Sequence, residues 1–214
     1  WKLNGNIEFI KDFYQKLLTN PNNCSIICSS SIFLNQLHTN EKNLFSGAQD
    51  VSIYEEGAFT GELSAKMLQD NKIKFCIVGH SERRQYFKEK NATVKLKSVN
   101  LIKCKIIPII CVGETLEEKE KKITKEVLSK QIEESIPDIS NSENTIIAYE
   151  PIWAIGSGLT PTFEDIEEVH YFIKNISNKF NKYKVLYGGS VKGSNSPDIN
   201  GLKNVDGCLV GGAS

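Results

Sequence analysis

The chain has 214 residues, 40% of them apolar, and its 26 basic side chains are balanced by 26 acidic ones. That composition supports one domain with a buried core, and a net charge of zero without a long block of like charge argues against a basic face for nucleic acid or for an anionic membrane surface. No apolar run approaches the ~18 residues that a bilayer span requires.

Taken in chain order, Trp1-Lys2-Leu3 reads as the tail of a strand with Lys2 at its end. A helix follows, with Ile10, Phe13, Leu17 and Leu18 on one face. Strand-like apolar runs then recur at Cys24–Cys28, Leu44–Val51, Ile73–Gly79, Ile106–Gly113, Thr145–Pro151, Tyr183–Gly189 and Cys208–Gly212. Between them, Leu116–Ile136 reads as one helix, its E-E-K-E-K-K stretch a solvated face held by (i, i+4) pairs. Pro161 and Glu164 signal the start of another, lined by Ile166, Val169, Ile173 and Ile176. Pro197 and Gly201 make the segment before Val205 a poor helix.

Seven strands and a remnant, alternating with helices roughly every 27 residues, predict parallel βαβ units. A doubly wound sheet and an eightfold barrel both satisfy that alternation. The unusual residues decide between them. Lys2, His80, Glu114, Glu150, Gly188-Gly189-Ser190 and Gly211-Gly212 all fall at or just past the C-terminal ends of different strands. In a barrel those ends converge on one mouth, whereas an open sheet strings them along an edge. The expected fold is therefore an α/β barrel.

The candidate chemistry starts at Ile146–Thr162. A buried strand there ends in Glu150, followed by Pro151, Trp153 and Gly156-Ser157-Gly158. A carboxylate at the mouth of a buried strand costs free energy unless it has a partner or a task. A stretch stiff at its proline and free at its glycines reads as a lid. Glu150 is thus the candidate general base. His80, before Ser81-Glu82-Arg83-Arg84, faces a plausible helix start capped by Ser81 or a neighbour, where positive potential favours a neutral imidazole that donates to a carbonyl. The glycine turns at Gly156, Gly188-Gly189-Ser190 and Gly211-Gly212 offer backbone N–H groups to an anion, as barrels do after their late strands. Lys2 on its own merits is an ordinary surface lysine. Cys111 and Trp153 read as packing residues, and Asn4, Ser190 and Glu114 carry no decisive local argument.

Two further features stand out. The six cysteines are scattered, without a C-x-x-C pair, and read as reduced thiols. The chain has 24 lysines but only two arginines, the adjacent Arg83 and Arg84, where a planar donor fork is plausibly needed.

Assembled, W-K-L-N-G, G-A-Q-D-V, E-G-A-F-T-G-E, G-H-S-E-R-R, C-V-G-E, A-Y-E-P-I-W-A-I-G-S-G, Y-G-G-S-V and V-D-G-C-L-V-G-G-A-S closely resemble the triosephosphate isomerase family, end to end and in that order. The resemblance implies a (β/α)8 barrel that interconverts dihydroxyacetone phosphate and D-glyceraldehyde 3-phosphate, in glycolysis and gluconeogenesis, without metal or organic cofactor. It implies that Glu150 shuttles the proton through an enediol(ate), that neutral His80 polarises the carbonyl, and that Lys2 offers positive charge. Glu82 belongs to the supporting shell. Gly156, Ser190, Gly211 and Gly212 would hold the phosphate. Thr60 would reach into a second subunit, with Glu62 and Arg83 joining across the same interface of a homodimer. A cytoplasmic enzyme is expected, an organelle remaining open.

The departures concern the ends. The family's asparagine before Trp1, most of its first strand and its last helix have no counterpart, so residues 1–214 are expected to form a single barrel domain truncated at both ends, with a gap at its seam. The competing reading is a truncated, non-catalytic barrel. Another sugar-phosphate isomerase is disfavoured by the lid after Glu150 and by G-H-S-E-R-R.

Overall fold

Strands flanked by helices on the outside and by one another within bury both faces, so they are written as continuous apolar runs. A computed structural model describes residues 1–17, 20, 22–36, 42–155 and 159–214, and it forms such strands at β1 (Ser25–Ser29), β2 (Leu44–Ala48), β3 (Phe75–Val78), β4 (Ile107–Val112), β5 (Ile146–Tyr149), β6 (Lys184–Tyr187) and β7 (Gly207–Cys208). They make one parallel sheet in the order β1-β2-β3-β4-β5-β6-β7, curled as part of a barrel with β1 and β7 as its edges.

Side chains alternate across the curl. Phe75, Ile77, Ile109, Cys111 and Ala148 pack together on one face. Val78, Ile110, Val112, Ile147 and Tyr149 join Leu68, Leu101, Leu128, Ile132, Ile166 and Ile173 from the surrounding helices on the other.

Those helices are α1 (Ile7–Lys16), α2 (Ala65–Asp70), α3 (Ser81–Tyr86), α4 (Asn91–Lys103), α5 (Leu116–Glu120), α6 (Thr124–Ser135), α7 (Phe163–Asn175) and α8 (Ser196–Asn200). Their starts follow capping chemistry: Asn6, Ser64, Thr115 and Thr162 each accept a first-turn N–H, and the last two form full capping boxes with Glu118 and Asp165. None of the helices among the described residues is long and apolar enough to cross a membrane.

Four expectations change. Trp1–Leu3 forms a turn instead of a strand tail: the Asn4 N–H donates to the Trp1 carbonyl at 3.1 Å, and Lys2 sits at φ 47°, which no extended strand allows. The stretch read as one helix over Leu116–Ile136 is two, α5 and α6, because Lys122 adopts φ 59° and closes the first with bonds from the Lys122 and Ile123 N–H groups to Lys119 and Glu118. The last strand is two residues long, and the chain after it turns back through a Ser214 N–H to Gly211 carbonyl bond of 3.0 Å. The segment before Val205 does form a short helix, α8, since Pro197 stands in its first turn, where no N–H is needed. Leu18, from the expected face of the first helix, lies outside the described residues.

Candidate active site

Glu150 directly follows β5 and is only 2% exposed. Its backbone is pinned between neighbours: its N–H donates to the Val112 carbonyl at 2.8 Å, and a Cβ at Gly113 would collide with the Glu150 carbonyl. On the other side, a Cβ at Gly188 would stand 3.0 Å from the Glu150 Cγ. Glycines directly after the two flanking strands therefore leave room for the acid.

The carboxylate is fully engaged. Oε2 accepts the Ser81 N–H at 2.9 Å, and Oε1 takes the Ser81 hydroxyl at 3.4 Å and the His80 Nε2 at 2.9 Å. His80 is the side chain that caps α3: its Nδ1 accepts the Glu82 N–H at 3.2 Å. Since Nδ1 is an acceptor, the hydrogen sits on Nε2 and points at Glu150. The sequence reading has this ring donating to a carbonyl; here it faces a carboxylate, and the cap of α3 is His80 itself.

Lys2 reaches the same cluster from the other end of the chain. Its Nζ donates to Glu82 Oε1 at 2.5 Å, and Glu82 Oε2 lies 3.7 Å from His80 Nδ1. The Lys2 carbonyl is held in turn by the Gln49 amide at 2.9 Å and the Ser30 hydroxyl at 3.2 Å. A run Lys2–Glu82–His80–Glu150 thus crosses the mouth of the sheet. Beside it lies a cleft of about 410 Å³ lined by Trp1, Lys2, Asn4, Gly5, Gly211 and Gly212, among others. Glu150 and His80 are not in its lining; Lys2 is, and through Glu82 and His80 it leads from the cleft toward the carboxylate.

A Cβ at Gly211 would stand 3.5 Å from Lys2 Cε, and Gly212 lines the same cleft, while Ser190 follows β6, its hydroxyl 3.4 Å from the Ala154 carbonyl. Gly156 lies outside the described residues, as do Ser157 and Gly158. Thr60 and Glu62 are exposed on the loop between β2 and α2, where Tyr54 and Phe59 stack with centroids 3.6 Å apart.

The arginine pair divides its work. Arg84 donates Nε to the Gly79 carbonyl at 2.7 Å, Nη1 to Asn91 at 2.5 Å and Nη2 to the Cys111 carbonyl at 3.1 Å, tying the ends of β3 and β4. Arg83 binds Asp50 at 2.9 Å and Glu89 at 2.7 Å within the same chain, alongside the buried Lys97.

Sequence reasoning missed four partners. Ser81 was visible only as a possible cap, and its N–H and hydroxyl instead serve Glu150. Gln49 had no local signal. Trp153, read as packing, donates its indole N–H to Glu114 at 2.8 Å, and Tyr149 donates to the same oxygen at 3.1 Å. Burial pushes the Glu114 carboxyl up, while these two donors and nearby Lys119 pull it back.

Known proteins resemble this chain along its length. A family model described as triosephosphate isomerase matches residues 1–214. A triosephosphate isomerase of Mesomycoplasma hyorhinis is 42% identical over 223 residues, covering 100% of this chain and 90% of that protein. One from Rhizobium meliloti (strain 1021) is 48% identical over 176 residues, covering 80% and 69%. The crystal structure of triosephosphate isomerase from Bartonella henselae superposes with a TM-score of 0.88 at 34% identity, over 99% of this chain and 90% of that one.

Proposed function

The chain belongs to the triosephosphate isomerase family, and from that premise we propose that it interconverts dihydroxyacetone phosphate and D-glyceraldehyde 3-phosphate, a step of glycolysis and gluconeogenesis. The observation that carries the reading is the buried Glu150 carboxylate, 2.9 Å from the Nε2 of an imidazole whose Nδ1 is already an acceptor.

In this reading the carboxylate removes a proton from C1 of the ketose. His80 donates its Nε2 hydrogen bond to the C2 oxygen, where negative charge grows, and the C1–C2 bond gains double-bond character. Return of the proton to C2, with the C1 hydroxyl proton passing by way of His80 to the C2 oxygen, gives the aldose. One carbon is oxidised as its neighbour is reduced, so the balance needs no external oxidant. Lys2 supplies positive charge beside the developing enediolate, and Glu82 positions it.

A substrate carbonyl would compete with Glu150 for the His80 donor. Binding would therefore free Oε1 of the base as it engages the acid. The phosphate would rest on backbone amides at Gly156, Ser190, Gly211 and Gly212, with Gly211 beside Lys2.

We further infer a single barrel domain over 1–214, acting in the cytoplasm as a homodimer with Thr60, Glu62 and Arg83 at its interface. The exposed loop stiffened by Tyr54 and Phe59 supports that placement. Following both triose phosphates in heavy water tests the reading: isomerisation with deuterium entering the carbon-bound position is expected. A purified, folded chain that neither isomerises nor exchanges would overturn it.

A further inference from the structure

The E-E-K-E-K-K stretch reads as a solvated face, and Lys121 behaves so, pairing with Glu117 one turn back at 2.5 Å. Lys119 does not. Its ammonium stands 3.5 Å from the centroid of the Trp153 ring, close enough for a strong cation–π contact, and 3.9 Å from Asp165 Oδ2. Trp153 lies in the short 3₁₀ turn Ile152–Ala154, three residues after Glu150, and Asp165 is the capping-box acid of α7. One side chain of α5 thus touches the segment leaving the carboxylate and the helix start that follows it.

The indole is gripped from two directions. Its N–H donates to Glu114, which is 1% exposed and also holds the Ile152 N–H on its own carbonyl at 3.1 Å, while Lys119 covers its face. An edge bond and a face contact together fix both the position and the tilt of a flat ring, which neither does alone. Only Pro151 and Ile152 separate that ring from Glu150, and Pro151 has little torsional freedom to absorb a displacement.

We propose that Lys119 is a positioning residue for the isomerisation, acting through Trp153 to hold the turn that carries Glu150 in register with His80. The proposal rests on the reading of Glu150 as the base. Among the described residues, Lys119 makes its ion pair with Asp165 and its ring contact with Trp153.

The test uses the full chain with fluorotryptophan in place of its two tryptophans, Trp1 and Trp153, which gives two fluorine resonances. In Lys119→Met, which keeps the stem and removes the charge, the Trp153 resonance should shift while Trp1 stays. The kcat should fall roughly three- to tenfold with KM unchanged, as expected for loss of one cation–π contact. Lys119→Arg should restore both. An unmoved Trp153 resonance overturns the contact, and a shifted resonance with wild-type kcat overturns the positioning role. Loss of kcat that Lys119→Arg does not restore, accompanied by a lower melting temperature, points to general destabilisation and also overturns it. If the unsubstituted chain is inactive, the reading of the reaction fails instead, and the fluorine shift still decides the contact.

Discussion

Oε1 of Glu150 and Nε2 of His80 lie 2.9 Å apart, on residues separated by 70 positions, so the candidate base and the candidate acid satisfy each other while no substrate is bound. A buried carboxylate would otherwise bear the cost of lost hydration. Here the Ser81 N–H and the imidazole donate to the carboxylate and offset that cost.

Replacing Glu150 by Gln keeps the side chain's volume and an acceptor for the Ser81 N–H. The chain should therefore fold, while turnover drops by about 10²–10⁴-fold, the usual contribution of a positioned base. A coupled assay of both triose phosphates, read beside a circular-dichroism melt, checks it. Near-normal turnover would remove Glu150 from the chemistry.

How far the sequence reveals this site depends on how local each signal is. Strands such as Ile107–Val112 and Phe75–Val78 are apolar on both faces and could be read directly. Glu150 and His80 were legible because a polar group at the end of such a run is anomalous. The helix α4 was not, since its buried face includes Lys97 and Ser98 while Leu96 points outward, which erases the helical period. Lys97 tolerates burial only because Asp50 and Glu89 meet it at 2.7 and 2.5 Å, and those partners are 47 and eight residues away. Likewise Lys2–Glu82 and Ser81–Glu150 span 80 and 69 residues, so no local pattern could pair them.

Arg84 should resist conservative replacement. Its guanidinium serves Gly79, Asn91 and Cys111 at once, a geometry that one ammonium cannot reproduce. Burial pulls this group's pKa down, a sign of how little water reaches it. Arg84→Lys should cost about 2–3 kcal/mol, the scale of leaving buried carbonyls unpaired. Arg83→Lys retains the point-charge attraction to Asp50 and Glu89 and should cost less. Urea midpoints of the two variants give the comparison, and equal losses would contradict it.

Three helices end in lysine where glycine is the usual choice. Lys72, Lys105 and Lys122 have φ of 56°, 58° and 59°, and each donates its N–H three residues back, while the next residue, Ile73, Ile106 or Ile123, bonds five back. These are Schellman closures of α2, α4 and α5, in which a Cβ at the left-handed position is strained. Each Lys→Gly change should stabilise the chain by about 0.5–1 kcal/mol, glycine's greater unfolded-state entropy offsetting part of the relief. The closures at Lys72 and Lys105 are joined by the Gln69 amide on the Cys104 carbonyl at 2.9 Å, so that pair is expected to couple and the triple variant to depart from the simple sum. A thermal midpoint that fails to rise in any of the three would show that the lysine stems make compensating contacts.

His170 provides the chain's clearest acid-sensitive element outside the candidate site. It is fully buried in α7, its ring edge-on to Tyr149 at 5.9 Å and tilted to Tyr187 at 6.3 Å. Burial pushes its pKa from 6.5 down to about 4; the Asn204 backbone opposes the shift without completing a hydrogen bond to either nitrogen. Lys174 reinforces the fall, and Asp206 and Glu167 weakly oppose it. The unfolded chain thus takes up a proton near pH 6.5 that the folded chain refuses until about pH 4. Stability from this group is complete above the upper value, declines as pH drops through the window, and is flat below the lower one. The total at stake is up to about 3 kcal/mol. Asp206 and Glu89, whose carboxyl pKa values are lowered by their lysine and arginine partners, add acid sensitivity mainly below that window. His170→Phe keeps a ring and removes the titration, so its stability should fall less than that of the unsubstituted chain between pH 6.5 and 4. Denaturant curves at several pH values measure the difference directly. Parallel pH profiles for the two chains would show that His170 finds a partner for its proton in the folded state.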